Sequence, residues 1–349
     1  MLAIGLMSGT SLDGIDASLI ETDGEQLFRP IENFYLPYSN DFQYKLRNVI
    51  DTHQNWLDAE IELTELHNIA IRELIKKSNI PRETICAIGF AQQTIFHDPN
   101  NLITWQIGNP HLLKSLANIQ VVSEFRKSDV AWGGEGAPLV PIFHKCLVHT
   151  LPKPVAIINI GGVANVTYID DHDLIAFDCG PGNALINDVM LKYFGYPFDK
   201  NGKIAKKGIV DEKILNQLLD DKFFATAYPK SIDRNHFEYI QPLIVYLSPI
   251  DRIATLTAFS AKAIIESIRL LPKKPKQIFL AGGGAYNKTM VKYLEEKLPI
   301  NNIAQLALNA DFIEAQAFAY LAIRRLKGLP ATFSSTTRVK NPTVIGTIF

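Results

Sequence analysis

Along this chain, short runs of β-branched and apolar residues alternate with stretches whose apolar positions recur at helical spacing. A period of two marks strands; recurrence at three and four residues marks helices with one buried face. The pattern predicts strands at 2–7, 15–21, 31–36, 85–90, 103–107, 119–123, 154–160, 163–170, 173–178 and 276–281. It predicts a helix over 57–78, where Ile61, Leu66, Ile69, Leu74 and Ile75 fall near one face. A second, 252–271, is carried by Ile253, Leu256, Phe259, Ala263, Ile264 and Ile268. A last helix, 311–327, stops at Gly328-Leu329-Pro330, a helix-ending signal. Such alternation indicates an α/β protein. At 349 residues the chain exceeds what one core usually supports, so two domains are expected.

The pattern also repeats, weakly. Ile4 to Leu6 leads through Met7-Ser8-Gly9-Thr10-Ser11 into a second strand through Ile15-Asp16-Ala17-Ser18-Leu19-Ile20. Ile157 to Ile160 leads through Gly161-Gly162 into Val163-Ala164-Asn165-Val166. One glycine hairpin says little, because tight turns need glycine. Two, each near the start of a half, suggest a duplicated domain.

Composition narrows the partners. Hydrophobic residues make up 47% of the chain and the net charge is -1, with acids and bases interspersed. A nucleic-acid or membrane-surface partner would favour a clustered basic face, so neither is expected. The opening residues lack a leader pattern, and no apolar run approaches the roughly 20 residues that span a bilayer. Cys86, Cys146 and Cys179 are too scattered for a metal site or disulfide framework, which fits a reducing cytoplasm and small buried apolar residues.

Candidate chemistry lies in the turns. Gly9-Thr10-Ser11-Leu12-Asp13-Gly14-Ile15-Asp16 combines backbone N–H groups, hydroxyls and acids, an arrangement suited to phosphate, and Asp13 or Asp16 could hold Mg²⁺. An ordinary Asp-capped hairpin gives the same sequence. Gly161-Gly162 with Asn165 is a second candidate phosphate loop. Asp178, then Cys179-Gly180-Pro181-Gly182-Asn183 before a helix from Ala184, sets a carboxylate at a strand end, where a general base can act. Gly282-Gly283-Gly284 after an apolar strand leaves backbone bare for a base or ribose, with Asn287 placed to cap the next helix. Arg126, before Gly133-Gly134-Glu135-Gly136-Ala137-Pro138, could clamp an anion or simply be solvated. Lys230-Ser231 and Arg234 form a second small basic cluster.

In this order the motifs resemble the actin-like ATPase superfamily. The segments Met7–Asp16, Gly133–Pro141, Asn159–Asn165, Asp178–Asn183, Pro229–Ser231 and Gly282–Gly284 are together similar to the anhydro-N-acetylmuramic acid kinase family. The resemblance implies a two-lobed, duplicated ribonuclease H-like fold with an ATP cleft between the lobes. One lobe would comprise 1–123 with a returning 310–349, the other 124–309. It implies that water opens the anhydrosugar at C1 while O6 takes the γ-phosphoryl of ATP. Asp178 would be the base, the turns from Gly9, Gly161, Gly180 and Gly282 would hold ATP and Mg²⁺, and Gln93, Arg126 and Glu314 would line the sugar site. A cytoplasmic homodimer is the expected assembly.

This chain departs from the family pattern at several points. His-Gly-Gln-Thr reads Ala91-Gln92-Gln93-Thr94, Thr-Gly-Arg-Glu reads Ile232-Asp233-Arg234-Asn235, and a late Gly-Ala reads Arg338-Val339. The nucleotide side is thus retained and the sugar side altered. A sugar kinase with a drifted substrate and a nucleotide-gated binding module are the alternatives.

Overall fold

The computed structural model describes residues 1–9, 11–232, 234–302 and 309–349, apart from the side chains of 234, 235, 238 and 302. Contacts divide the chain into two compact units, Met1–His149 with Asp311–Phe349, and Thr150–Ala310.

In the first unit, β1 (Leu2–Ser8) runs antiparallel to β2 (Gly14–Thr22), which pairs with β3 (Phe28–Pro37). On its other edge β1 takes β4 (Ile85–Phe90) in parallel. A separate ribbon of β5 (Gln93–Asp98) and β6 (Ile103–Ile107) precedes β7 (Val121–Ser123), which lies parallel to β4. The chain end adds Thr347–Ile348 beside β7.

The second unit repeats this plan. β8 (Val155–Ile160) pairs with β9 (Val163–Ile169) and β9 with β10 (Leu174–Pro181), all antiparallel. β11 (Gln277–Ala281) joins β8 in parallel, and β12 (Ile300–Asn302) joins β11. The order β3-β2-β1-β4-β7 therefore recurs as β10-β9-β8-β11-β12. The hairpin repeat in the sequence belongs to a duplicated sheet.

Each sheet is held by a helix from late in its unit. Apolar residues run almost unbroken through β1 and β8, the composition of strands covered on both faces. The helix Ile313–Leu326 lies against β1 along Gly5 and Gly89, which are register partners on β1 and β4. A Cβ on Gly5 would stand 1.8 Å from the Ala315 carbonyl oxygen, and one on Gly89 2.0 Å from that of Phe318. Only glycine permits so close an approach. In the second unit the helix Pro249–Arg269 starts at a Ser248 cap and donates from Ser260 to Gly182 O (2.8 Å) and from Ser267 to Cys179 O (3.2 Å).

The structure adds β5, β12 and Thr347–Ile348 to the strands read from periodicity. It also places 124–149 with the first unit, so the division falls after 149 rather than after 123. The physical reason is aromatic packing: Phe125 meets Phe318 at 5.5 Å between ring centroids, and Phe143 meets Tyr320 at 5.3 Å. Cys146 and Cys179 are buried, whereas Cys86 is half-exposed, against the expectation of burial for all three. Among the described residues, no helix is long and apolar enough to cross a membrane.

Candidate active site

The second unit gathers its candidate residues at one end of its sheet. Asn165 on β9 is the register partner of Asn159 on β8 and of Asp178 on β10, so three polar side chains form a row on one face. The register shifts between Asp178 and Gly180, a bulge that bends β10 just past the carboxylate. Asp178 is half-buried; its Oδ2 accepts from the Ile232 N–H at 2.9 Å, and its own N–H donates to Lys230 O at 2.9 Å.

Beside this row the glycines divide by function. Gly180 has φ 135° and packs under Phe224. A Cβ on Gly182 would meet Gly161 O at 2.2 Å, one on Gly282 Asn159 Oδ1 at 2.4 Å, and one on Gly284 Ile160 Cγ2 at 2.2 Å. Packing explains all four. Gly161 and Gly162 are different: the nearest atoms to an added Cβ lie at 3.5 and 3.7 Å, and Gly283 has nothing within 4 Å. Those three present bare backbone that the fold does not demand, as a ligand-contacting surface would. The N–H groups of Gly182 and Asn183 are already spent, donating to Gly162 O (2.9 Å) and Gly161 O (2.8 Å), and the Asn183 amide braces Ile160 O at 3.1 Å. Asn287 caps the next helix, accepting from Thr289 and Met290.

The first unit holds the Gly9–Asp16 turn, with Thr10 outside the described residues. Leu12 adopts φ 55° and, with Ile15, joins the hydrophobic core; Gly14 lies hard against Leu36 O. Ser11 Oγ donates to Asp13 Oδ1 at 2.5 Å. Asp16, opposite Met7 in register, has its pKa raised to about 7, first by burial and then by the charges of Asp13, Glu314 and Asp311. Asp13 and Asp16 offer the hard oxygen donors that Mg²⁺ prefers. No group of three or more His, Cys, Asp and Glu among the described residues is arranged to hold a metal alone. A cation here would draw its remaining ligands from phosphate and water, which suits Mg²⁺.

Also in the first unit, a small cavity brings Gln93 and Arg126 together, with Ser8 and Thr94 adding hydroxyls and Phe125 and Phe318 an apolar side. Ser8 Oγ donates to Gln93 Oε1 at 2.7 Å and lies 2.8 Å from Tyr38 OH, so Gln93 is held from behind. Burial draws the Arg126 pKa down, while Glu314 and Asp129 oppose that by favouring its charge. Asp129 is buried, accepting from Gly136 N–H at 2.7 Å and from Thr337 Oγ1 at 2.9 Å, which wraps the glycine-rich segment round the Arg126 helix. Ser8, Tyr38, Asn159 and Asp311 were not singled out from the sequence. Ser8 and Asn159 stand inside quoted motifs; nothing in the sequence pointed to the other two.

The departures from the family pattern now have positions. Ala91 lines the cavity, so its wall carries a methyl where the pattern has an imidazole. Gln92 and Arg338 take φ 63° and 64°, left-handed values at positions where the pattern has glycine. Each is tied by its side chain, Gln92 to Gly108 O at 2.7 Å and Arg338 to Glu135 at 2.9 Å. Asp233 and the Arg234 side chain lie outside the described residues.

Component A of the (R)-2-hydroxyglutaryl-CoA dehydratase of Acidaminococcus fermentans superposes with a TM-score of 0.51 at 14% identity, covering 94% of this chain and 99% of that one. That likeness is one of fold, and the duplicated α/β architecture is of the actin-like ATPase type. The anhydro-N-acetylmuramic acid kinase of Nitrobacter winogradskyi is 43% identical over 364 positions, covering 100% of this chain and 99% of that protein. The protein of the same name from Zymomonas mobilis is 42% identical with the same coverage. The family profile described as anhydro-N-acetylmuramic acid kinase matches residues 1–349, and the chain belongs to that family.

Proposed function

We propose that this chain is an ATP-dependent kinase that opens 1,6-anhydro-N-acetylmuramic acid with water and phosphorylates O6, releasing N-acetylmuramic acid 6-phosphate and ADP. The observation that carries the reading is Asp178, a carboxylate fixed at a strand bulge beside bare glycine turns. Phosphoryl transfer alone asks chiefly for positioning and charge; a hydrolytic step adds the need for a base.

Asp178 takes a proton from water as the water oxygen bonds to C1. The C1–O6 bond breaks, and its electron pair lets O6 attack the γ-phosphorus while the bond to ADP breaks. In the first unit, the Ser11 hydroxyl and the Gly9–Asp16 backbone, Thr10 included, would bind phosphate. In the second, Gly161, Gly162 and Gly283 would face the nucleotide, with Asn165 alongside. Gly180, Gly182, Asn183, Gly282 and Gly284 would shape those turns by close packing. A Mg²⁺ ion held by Asp13 and Asp16 would offset the transferring charge, and a site that raises Asp16 to about 7 gains from such a cation. Gln93, Arg126 and Glu314 would orient the sugar, Arg126 pairing with an anionic substituent.

The reading includes a cytoplasmic homodimer, supported by the family resemblance and by exposed Tyr193, Tyr196 and Tyr246 on the second unit. Incubation with ATP, Mg²⁺ and the anhydrosugar in ¹⁸O water tests the chemistry. Product bearing a 6-phosphate and one ¹⁸O at C1, with anomeric exchange controlled, is expected; product without the label would reject the coupled hydrolysis. Ala91 in the cavity wall favours one alternative, a related sugar as substrate, which the same assay with other sugars examines.

A further inference from the structure

Lys230 is 4% exposed, yet it pairs with no carboxylate among the described residues. Its Nζ donates to Phe223 O at 2.9 Å, stands 4.4 Å from the centroid of the Phe223 ring, and lies 5.9 Å from that of Phe177. An ammonium has three donors and strong hydration to give up. One carbonyl and two aromatic faces recover only part of that, so the position is costly for stability. Such a group points to a use other than holding the fold together.

Its surroundings indicate the use. Lys230 O accepts the Asp178 N–H, and two residues later the Ile232 N–H meets the Asp178 carboxylate. Phe177, which precedes Asp178, stacks on Tyr228 with centroids 5.3 Å apart. The cage around the ammonium is thus built on the strand that carries the carboxylate. Among charged and titratable groups, Asp178 and Cys179 act on the ammonium from β10. Cys179 is kept neutral, burial pushing its thiol up to about 12. Asp221, which caps the short helix bearing Phe223, is occupied by His236 (3.1 Å) and Tyr239 (2.6 Å). Burial draws the Lys230 pKa down, and the charge of Asp178 opposes it.

We propose that Lys230 is a positioning residue for Asp178: its caged ammonium anchors the 230–232 segment across the carboxylate and supplies a positive charge that keeps the carboxylate ionised. The inference rests on Asp178 being the base. The attraction is mutual, so removing the cation makes the ionised carboxylate less favourable and moves the acid limb of the rate profile to higher pH.

The test compares Lys230→Met, Lys230→Gln and Asp178→Asn in the full chain, measuring kcat and KM against pH together with the melting midpoint. For Lys230→Met we expect the acid limb of kcat to rise by about one pH unit, roughly a tenfold loss on that limb, recovered in alkali. KM for ATP should hold, and the midpoint should stay level or increase, because an apolar chain replaces a buried charge. Lys230→Gln keeps a donor for Phe223 O and should show the same limb shift if the methionine variant folds poorly. An unmoved limb in both variants, or a pH-independent loss with a lowered midpoint, overturns the proposal. Wild-type turnover in Asp178→Asn would instead remove the base assignment. An inactive Asp178→Asn beside a wild-type profile in both Lys230 variants would reject Lys230 alone.

Discussion

The hairpins β1–β2 and β8–β9 hold the same place in sheets of the same strand order, yet they turn differently. The first passes through a longer loop whose sequence holds two hydroxyl residues, Asp13 and a left-handed leucine, with Asp16 following on β2. The second turns on two glycines whose carbonyls receive the N–H groups of Gly182 and Asn183, past β10. Its acid lies one strand further on, at the β10 bulge. Duplication thus preserved topology while the turns diverged: the first carries acidic and hydroxyl side chains, and the second bare backbone next to a carboxylate.

Changes can break or sharpen this contrast. Asp178→Asn has the largest expected effect, a fall in kcat of about two to four powers of ten with ATP affinity kept, checked by steady-state kinetics and nucleotide titration. Next, Gly182→Ala should destabilise the second unit by roughly 1–3 kcal/mol in denaturant unfolding, because its methyl would stand 2.2 Å from Gly161 O. Gly161→Ala should leave stability nearly unchanged while raising KM for ATP about tenfold, the signature of a turn kept bare for a ligand.

For the first turn, Asp16→Asn links charge to pH. Asp16 has a raised pKa in the folded state, so the wild type loses stability as pH rises from about 4 through about 7. Without divalent ions, the variant should match the wild type at pH 4 and gain on it above pH 7, by on the order of 2–4 kcal/mol. Equal gains at both pH values would contradict the electrostatic account. Ser11→Ala should do least, changing stability by less than about 0.5 kcal/mol since the turn is exposed, with a small rise in KM for ATP.

Much of this architecture was legible in local pattern. β-branched runs marked the sheet strands, and of the two helices that brace them the one at 252–271 declared an apolar face and the one at 311–327 its Gly-Leu-Pro stop. The ribbon Gln93–Asp98 did not, because its residues are mostly polar and it pairs only with β6. The segment 124–149 was expected in the second lobe, and the contacts that place it in the first unit are long-range: its aromatics find partners on a helix far along the chain. The site shows the same limit. Asp178 and the glycine turns are contiguous motifs, but the repulsion that raises Asp16 involves Asp311 and Glu314 from the other end of the sequence. In the sequence Lys230 is part of a small basic cluster; its burial in an aromatic cage depends on residues that only the fold brings to it.

The groove of Gly5 and Gly89 bears on the order in which the protein is born. Both glycines leave the ribosome early, but the helix that fills the groove lies in 313–326, near the end of translation. The second unit, by contrast, is continuous from Thr150 to Ala310, and every strand of its sheet emerges before that helix. At synthesis rates of about 5–20 residues per second the nascent first unit waits on the order of ten seconds or more with one sheet face uncovered. The second unit is therefore the first that can be finished, and the amino-terminal half completes its core last.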